Sequence, residues 1–574
     1  MNFGGVDMMR KVPCVLRDGV TLYADIYRPA GGGGYPVLLM RQPYGRKLAS
    51  TVSHAHPVWY ASQGFMVVIQ DVRGRGDSEG EFSPFAHEAE DGYDTVEWAA
   101  SLPGSNGKVG MYGFSYQGAT QWAAASLHPP HLTAIAPSMT AANLYPGWMY
   151  AYGSFDLQSC LPWAYQLARD SARRAGDAEA EALCTEVMLN PAPALRQLPL
   201  DQGHPVLDKY LPAYFDWLAH PEYDEYWARF NWLDAFMEKP IPTLHIGGWY
   251  DFLLQGTLQS FQTLSAQEQS PKLFHQLHIG PWTHIPWGRK PGGMDHGPDA
   301  DGQMHLRQAE WFRYWLKDEG ESGLFEEAPV RYFEPWSKTW KLTKKFPFPG
   351  MEEQDSRTPV KHLYVSGSTL PANGASGGSV LTESKENISQ SAAPDVFVYD
   401  ARLPMSLASV LPADRSVQQD RYEILVYTGD PLEKEVEILG TPRVKVMCQA
   451  IDGPTDLVAV LSVVMPSGEA RFLSVGRVEV GRAPSTSGVG EPEAADILMR
   501  PLSFRCPVGS AIRLELTGSA YPLLLRHPNG IPWTEAMKAG AGELAMAVVA
   551  VSSVPGAETW IELPLAEAYT DIKG

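Results

Sequence analysis

KVGMYGFSYQG, Lys108 to Gly118, is the stretch on which the fold turns. Val109 to Tyr112 is a short buried-strand pattern, and Ser115 follows it with Gly113 two positions before and Gly118 three after. The next segment, ATQWAAASL (Ala119 to Leu127), is Ala-rich and reads as helix. A strand that bends sharply into a helix crowds its own backbone, so a serine pushed out at the bend needs small neighbours. Ser115 thus has the setting of a nucleophile elbow. The usual pattern is GxSxG, whereas here Gln117 takes the second small position and the glycine comes one residue later. Taken alone, the stretch also fits a plain glycine-rich turn.

A serine hydroxyl needs a base, and the base needs an orienting carboxylate. In α/β-hydrolases they follow in the chain order Ser, Asp or Glu, His. Around the elbow lie short apolar runs separated by helix-sized segments: Val37 to Met40, Phe65 to Ile69, Leu132 to Ala136, Thr243 to Ile246 and Phe274 to Ile279. Parallel strands buried on both faces read this way. In IPTLHIGGWYDFLLQGTL the strand is predicted to end at Gly247 or Gly248, and Asp251 follows in the turn before a helix. In FHQLHIGPWTHIPW a Gly-Pro loop after the next strand carries His284. Ligands bind beyond the carboxyl ends of such strands, and Ser115, Asp251 and His284 all fall there in the required order. Singly, Asp251 also reads as a helix N-cap and His284 as a hydrogen-bonded loop histidine. His245 and His278 lie inside strands, where a base is poorly placed.

An oxyanion needs two donors beside the nucleophile. The backbone N–H of Tyr116 is one. MRQPYGRK places Tyr44 in the loop after the Val37 to Met40 strand, and a phenol with a pKa of about 10 donates at neutral pH. By position alone Tyr44 equally well packs over the site. RGRGDSEG (Arg73 to Gly80) has neither GxGxxG nor a P-loop lysine, so it reads as the shaping of a βα loop, and Ser78 lacks an elbow.

Outward from this centre, LRDGVTLYADIYR (Leu16 to Arg28) alternates around an Asp18-Gly19 turn, with Leu22, Ala24 and Ile26 on one face, which predicts a half-buried antiparallel pair. Between Ala136 and Thr243 the strand alternation stops. SFDLQSCLPWAYQLARDSARRAGDAEAEALCTEVML keeps apolar residues at helical spacing and predicts a helical insertion above the sheet. Tyr145, Trp148, Tyr150, Tyr152, Phe155, Trp163 and Tyr165 crowd its start, either lining a pocket or fixing the insertion to its parent. KFPFPGMEEQDSRTP (Lys345 to Pro359) reads as a boundary, and beyond it short Val-rich runs such as YEILVYTG and IRLELTG predict a β-sandwich. Ser366 to Pro394, rich in Ser, Gly and Asn, is expected to be a long loop within it. The expected division is an α/β core over 1–144 and 241–350, a helical cap over 145–240 and the sandwich over 351–574.

Composition restricts the partners. The chain has 574 residues, 44% hydrophobic and 20% charged, with 46 Lys and Arg against 66 Asp and Glu. A net charge of −20 and a pI near 5.2 argue against nucleic acid, whose binders present basic surface. Five cysteines without a CxxC suggest neither a disulfide framework nor zinc. The longest apolar stretch, Leu544 to Val551, is far short of a membrane span, and MNFGGVDMMRKVP lacks the apolar core of a leader. A cytoplasmic protein is the expectation.

RDGVTLYADIYRP, RQPYGR, GFMVVIQDVRGRGDSEGEF, EDGYDTVEWAASLPGSNGKVGMYGFSYQG, GGWYDFLLQG and GPWTHIPWG together resemble the cocaine esterase-like hydrolases, the CocE/NonD family. That family includes α-amino-acid ester hydrolases, glutaryl-cephalosporin acylases and, more distantly, Xaa-Pro dipeptidyl peptidases. The resemblance continues through YTGDPLEKEVEILGTPRVKV and PTDLVAVLSVVMPSGEARFLSVG. It implies an α/β-hydrolase core, an inserted helical cap and a jelly-roll-like C-terminal sandwich, with Ser115 as nucleophile, His284 as base, Asp251 as orienter, and Tyr44 with the Tyr116 amide as oxyanion hole. The family's glycine also comes three positions after the serine, so the Gln117 departure is shared. YPLLLRHPNG (Tyr521 to Gly530) departs from the family's FPRFDRNPNTG-like stretch.

These residues predict a serine esterase or acylase that forms an acyl-enzyme on Ser115 and needs no cofactor or metal. HExxH is absent, and Asp295, His296, Asp299 and Asp301 have no recognised ligand spacing. That cluster reads as a solvated acidic loop, or as carboxylates near the site that favour an ammonium-bearing substrate. The expected partner is a small ester or amide, and relatives suggest a homodimer. A dipeptide-releasing exopeptidase, or a hydrolase fold kept only for ligand binding, are the alternative readings.

Overall fold

The computed structural model describes residues 2–3, 5–47, 53–266, 275–317, 328–348, 359–390, 393–482 and 492–566. Phe274, residues 349–358 of the proline-rich boundary stretch and residues 391–392 of the expected loop lie outside the described residues.

The N-terminal α/β part is built on one eleven-stranded sheet. Its strands are β1 (Asn2–Phe3), β2 (Val6–Val15), β3 (Thr21–Pro29), β4 (Tyr35–Gln42), β5 (Met66–Asp71), β6 (Ser105–Phe114), β7 (Leu132–Ser138), β8 (Thr243–Tyr250), β9 (His275–Thr283), β10 (Val330–Glu334) and β11 (Thr339–Thr343). Their spatial order is β1-β2-β3-β5-β4-β6-β7-β8-β9-β10-β11. β5, β4 and β6 through β10 run parallel, flanked by antiparallel β1 to β3 on one side and β11 on the other.

The continuous apolar runs follow from burial on both faces. Val37 and Leu39 of β4 point to one side, where they pack with Trp122 and Val96; Leu38 and Met40 point to the other, with Tyr60 and Phe312. Successive side chains alternate across a strand, so only a strand covered on both sides needs every position apolar. The covers are α2 (Glu88–Ala100) and α3 (Tyr116–Ser126) on the first side, and α1 (Pro57–Ser62) and, late in the chain, Met304–Lys317 on the second.

The antiparallel pair forms as expected around Asp18-Gly19, with Leu22, Ala24 and Ile26 buried, but its first strand is β2, ending at Val15, so Leu16 belongs to the turn. Two strands outrun their sequence reading. β8 reaches Tyr250 rather than ending at Gly247 or Gly248, and β9 runs through Gly280-Pro281 to Thr283, because pairing of Gly248 with Gly280 and of Tyr250 with Thr283 prolongs both.

Between β7 and β8 the chain is helical, as its periodicity predicts. α4 (Leu157–Arg174) and α5 (Ala178–Leu189) are its longest elements, and Asp156 caps α4 by accepting the Ser159 N–H at 3.1 Å. From Val360 to Pro564 the structure is β-rich, and the alternating burial of Arg443–Ala450 is typical of its strands. The Ser366 to Pro394 stretch is not wholly loop: Val380–Thr382 forms a short strand beside Tyr364–Ser366. All five cysteines are buried and unpaired. No helix among the described residues is long and apolar enough to cross a membrane.

Candidate active site

Ser115 sits at the bend from β6 into α3 with φ 60° and ψ −126°, a left-handed conformation costing about 1–3 kcal/mol for a residue with a side chain. Its neighbours hold it there. The Ser115 N–H donates to the carbonyls of Ser138 (2.9 Å) and Met139 (3.2 Å), and its own carbonyl accepts from Gly118 and Ala119. A Cβ on Gly113 would lie 2.5 Å from the Gln117 Cβ, and one on Gly118 would lie 2.5 Å from the Thr140 Cγ2. Gln117 fits the position because its side-chain oxygen accepts the Phe114 N–H at 3.2 Å, tying the turn together.

Asp251 follows β8 and is fully buried. Its Oδ1 lies 2.7 Å from Nδ1 of His284, which follows β9. A carboxylate only accepts, so Nδ1 carries the proton and Nε2 is left as the basic nitrogen. The N-cap reading of Asp251 does not hold: the Leu254 N–H bonds its backbone carbonyl at 3.1 Å, while Oδ2 has no hydrogen-bond partner. The His284 ring lies between Phe252 and Phe114, with centroids 4.5 and 5.5 Å away. Ser115 and His284 line one cavity of about 390 Å³, whose walls include Tyr44, Trp148, Trp163 and Phe252.

Tyr44 lines the same cavity as Ser115, and its hydroxyl accepts the Trp163 Nε1–H at 3.0 Å. Burial pushes its pKa up to about 12, so the O–H keeps its proton at neutral pH. The Tyr116 side chain turns into the core, where its hydroxyl donates to Glu88 at 2.9 Å and its ring stacks on Phe85. Its backbone N–H opens α3 and has no partner among the described residues.

Of the seven aromatics at the start of the helical segment, Trp148 and Trp163 line the cavity. The others fix the segment in place: Tyr145 and Tyr150 donate to the carbonyls of Pro221 and Trp217, Tyr165 bonds His204, and Phe155 and Tyr152 are packed against apolar neighbours. Asp295 pairs with Arg289 at 2.5 Å, Asp299 and Asp301 are exposed, and none of the Asp295 to Asp301 cluster lines the cavity. His245 and His278 are buried within their strands. Ser78 donates to the Asp71 carbonyl, inside a βα loop as expected. The Tyr521 to Gly530 stretch docks on the helical segment through Tyr521 to Leu195 (2.6 Å) and Leu525 to Ser154 (3.1 Å).

Sequence reasoning missed Arg500. It reaches from the β-rich part to donate from Nη2 to the backbone carbonyls of Trp249, at 3.1 Å, and of Asp251. It also missed Asp156, a buried carboxyl near Asp251 and Arg500 whose pKa burial raises to about 6.

A strained serine at a strand-to-helix bend and a buried Asp–His pair, at the carboxyl ends of a mainly parallel sheet that is followed by a β-rich unit, define the class of serine hydrolases acting on esters or amides. Residues 18–286 match the family described as X-Pro dipeptidyl-peptidase (S15 family), and residues 308–540 match the X-Pro dipeptidyl-peptidase C-terminal non-catalytic domain. The chain is 29% identical over 591 residues to a cocaine esterase from Rhodococcus sp. (strain MB1 Bresler), covering 98% of this chain and 99% of that one. Among solved structures, an α-amino acid ester hydrolase superposes with a TM-score of 0.77 at 21% identity, over 98% of this chain and 97% of that one. A CocE/NonD family hydrolase from Staphylococcus aureus superposes with a TM-score of 0.68 at 18% identity, over 97% and 94%. Along nearly its whole length the chain is thus similar to the cocaine esterase-like, or CocE/NonD, hydrolases.

Proposed function

We propose that Ser115 is the nucleophile of this hydrolase, His284 its general base, Asp251 the orienter of the imidazole, and the Tyr44 hydroxyl with the Tyr116 N–H the oxyanion hole. The 2.7 Å Asp251–His284 bond, in a cavity shared with a conformationally strained Ser115, carries this reading. The Ser115 oxygen attacks the ester or amide carbonyl carbon while His284 Nε2 takes the hydroxyl proton, and the carbonyl π electrons move onto oxygen. Tyr44 and Tyr116 donate to that oxygen. As the tetrahedral species collapses, the leaving group takes the proton from His284 and departs. Water then repeats the sequence against the acyl-enzyme, and Ser115 recovers its proton.

In the same reading, residues 145–240 act as a cap whose Trp148 and Trp163 shape the acyl or leaving-group space, and residues 351–574 form a jelly-roll-like domain that braces it. A cytoplasmic location and a homodimer belong to this proposal, on the sequence pattern and the resemblance; sedimentation at several concentrations tests the dimer. The S15 family match favours a second reading, a dipeptide-releasing exopeptidase. Such an enzyme needs a carboxylate to hold the substrate ammonium, and no Asp or Glu is among the described residues lining the Ser115 cavity.

The test is the initial rate of hydrolysis of a short-chain nitrophenyl ester, with an Ala-Pro nitroanilide in parallel, by wild type and Ser115→Ala. The ester is expected to turn over only with the serine present. Equal activity in both proteins refutes the assignment of Ser115, and turnover of the anilide alone selects the exopeptidase.

A further inference from the structure

Beside the Ser115 cavity lies a second one of about 600 Å³, and Tyr44, Gln166 and Met188 form part of the wall of both. Its lining is charged rather than aromatic. Five cations, Arg46, Lys47, Arg75, Arg169 and Arg173, face three carboxylates, Asp71, Asp77 and Asp170, in a chain whose net charge is −20.

Most of these charges are spoken for. Arg46 is held by Asp25 at 2.8 Å, by Asp77 at 2.6 Å and by Asp71. Asp170 takes Arg173 and, at 3.1 Å, Nη1 of Arg75. Arg169 has no ion pair or hydrogen bond among the described residues.

Arg75 is the exception that points to a ligand. Its side chain is 0% exposed and its guanidinium lies over the Phe82 ring, 3.6 Å from the centroid, yet Nε and Nη2 have no hydrogen-bond partner. Nε–H and Nη2–H share one edge of the guanidinium, the edge that grips a carboxylate with two parallel hydrogen bonds. A buried cation with that edge unmet loses solvation without recompense, and a carboxylate restores it.

We propose that this cavity is an anion subsite of the enzyme, in which Arg75, aided by Arg169, binds a carboxylate carried by an ester or amide whose carbonyl lies at Ser115. The inference rests on Ser115 being the nucleophile. The shared Tyr44 wall places the anionic group one cavity away from the reacting carbonyl, so the favoured substrates carry the carboxylate on a short arm, either on the acyl group or on the leaving group.

The experiment compares three nitrophenyl esters: a neutral acyl ester, the mono-ester of a dicarboxylic acid of equal chain length, and the neutral acyl ester of a carboxylated nitrophenol. The quantity read is the kcat/KM ratio of each charged ester to the neutral one, within each protein, so any loss of folded enzyme cancels. In wild type one charged ester is expected to exceed the neutral ester by about tenfold or more, and its identity tells which side of the substrate occupies the subsite. In Arg75→Met the ratio is expected to fall to about one. If that variant does not fold, Arg75→Lys keeps the charge beside Asp170 but loses the fork, and its ratio is expected to fall several-fold. Ratios at or below one for both charged esters in wild type, or a ratio that survives both substitutions, overturn the proposal. Wild type that leaves all three esters untouched refutes the Ser115 reading instead, and the subsite with it.

Discussion

Arg500→Met separates the β-rich unit's contribution to the site from its contribution to the fold. The Arg500 backbone is anchored on its own side, its N–H on the Val475 carbonyl at 2.8 Å and its carbonyl on the Ser474 hydroxyl at 2.6 Å. Its guanidinium crosses to the Trp249 and Asp251 carbonyls, on the turn that aims Asp251 at His284. A hydrogen bond from a charged donor contributes about 1.5–3 kcal/mol, so losing two leaves a deficit of about 3–6 kcal/mol, part of which Met recovers by packing. Displacing a catalytic group by about 1 Å costs on the order of 100-fold in rate. Urea unfolding and nitrophenyl ester kinetics on one preparation read both effects. A structural role alone lowers the unfolding midpoint and the amount of active enzyme. A positioning role also lowers kcat/KM per folded enzyme, because the Asp251 carboxylate is no longer held against His284. Arg500→Lys, with one compact donor group, is expected to recover part of the loss. A midpoint and a kcat/KM both unchanged in Arg500→Met would refute the reasoning.

Three further outcomes are expected. Tyr44→Phe keeps the ring and removes the donor, and kcat is expected to fall by about 10²–10³ with KM little changed, measured on the neutral ester. Gly118→Ala places a methyl 2.5 Å from the Thr140 Cγ2, and denaturant unfolding is expected to show a loss of about 1–3 kcal/mol. Burial raises the Asp156 carboxyl from its ordinary 3.8 to about 6. Its neutral form is therefore favoured on folding, so its contribution is fully present below pH 3.8 and is lost as pH rises to about 6, a swing of about 3 kcal/mol. Asp156→Asn keeps the helix cap without the charge, so the stability of wild type minus that of the variant is expected to fall across this window. A constant difference would contradict the burial argument.

The sheet was readable because strands buried on both faces must be apolar throughout, as Val37 to Met40 and Met66 to Ile69 are. That Ser115, Asp251 and His284 each lie just beyond a strand was readable because each follows an apolar run. What escaped depends on contacts across long separations. Trp163 meets the Tyr44 hydroxyl from 119 residues away, and Arg500 meets Asp251 from 249 away, and neither has a local pattern. Strand ends were misjudged at Gly248 and Gly280, where glycine suggests a turn but the partner strand continues the ladder. The aromatic cluster after Tyr145 was ambiguous for a related reason: burial alone does not tell a pocket wall from a packed joint, and only Trp148 and Trp163 prove to face the cavity.

The central claim is an acyl-enzyme on Ser115, and trapping it is the most direct test. Wild type is mixed with a nitrophenyl ester, quenched in acid within the first turnovers, digested and examined by mass spectrometry. The account predicts one acyl group per chain, on the peptide containing Ser115, with a matching burst of nitrophenol and neither signal in Ser115→Ala. Acylation at another residue, or undiminished turnover by Ser115→Ala, would contradict it.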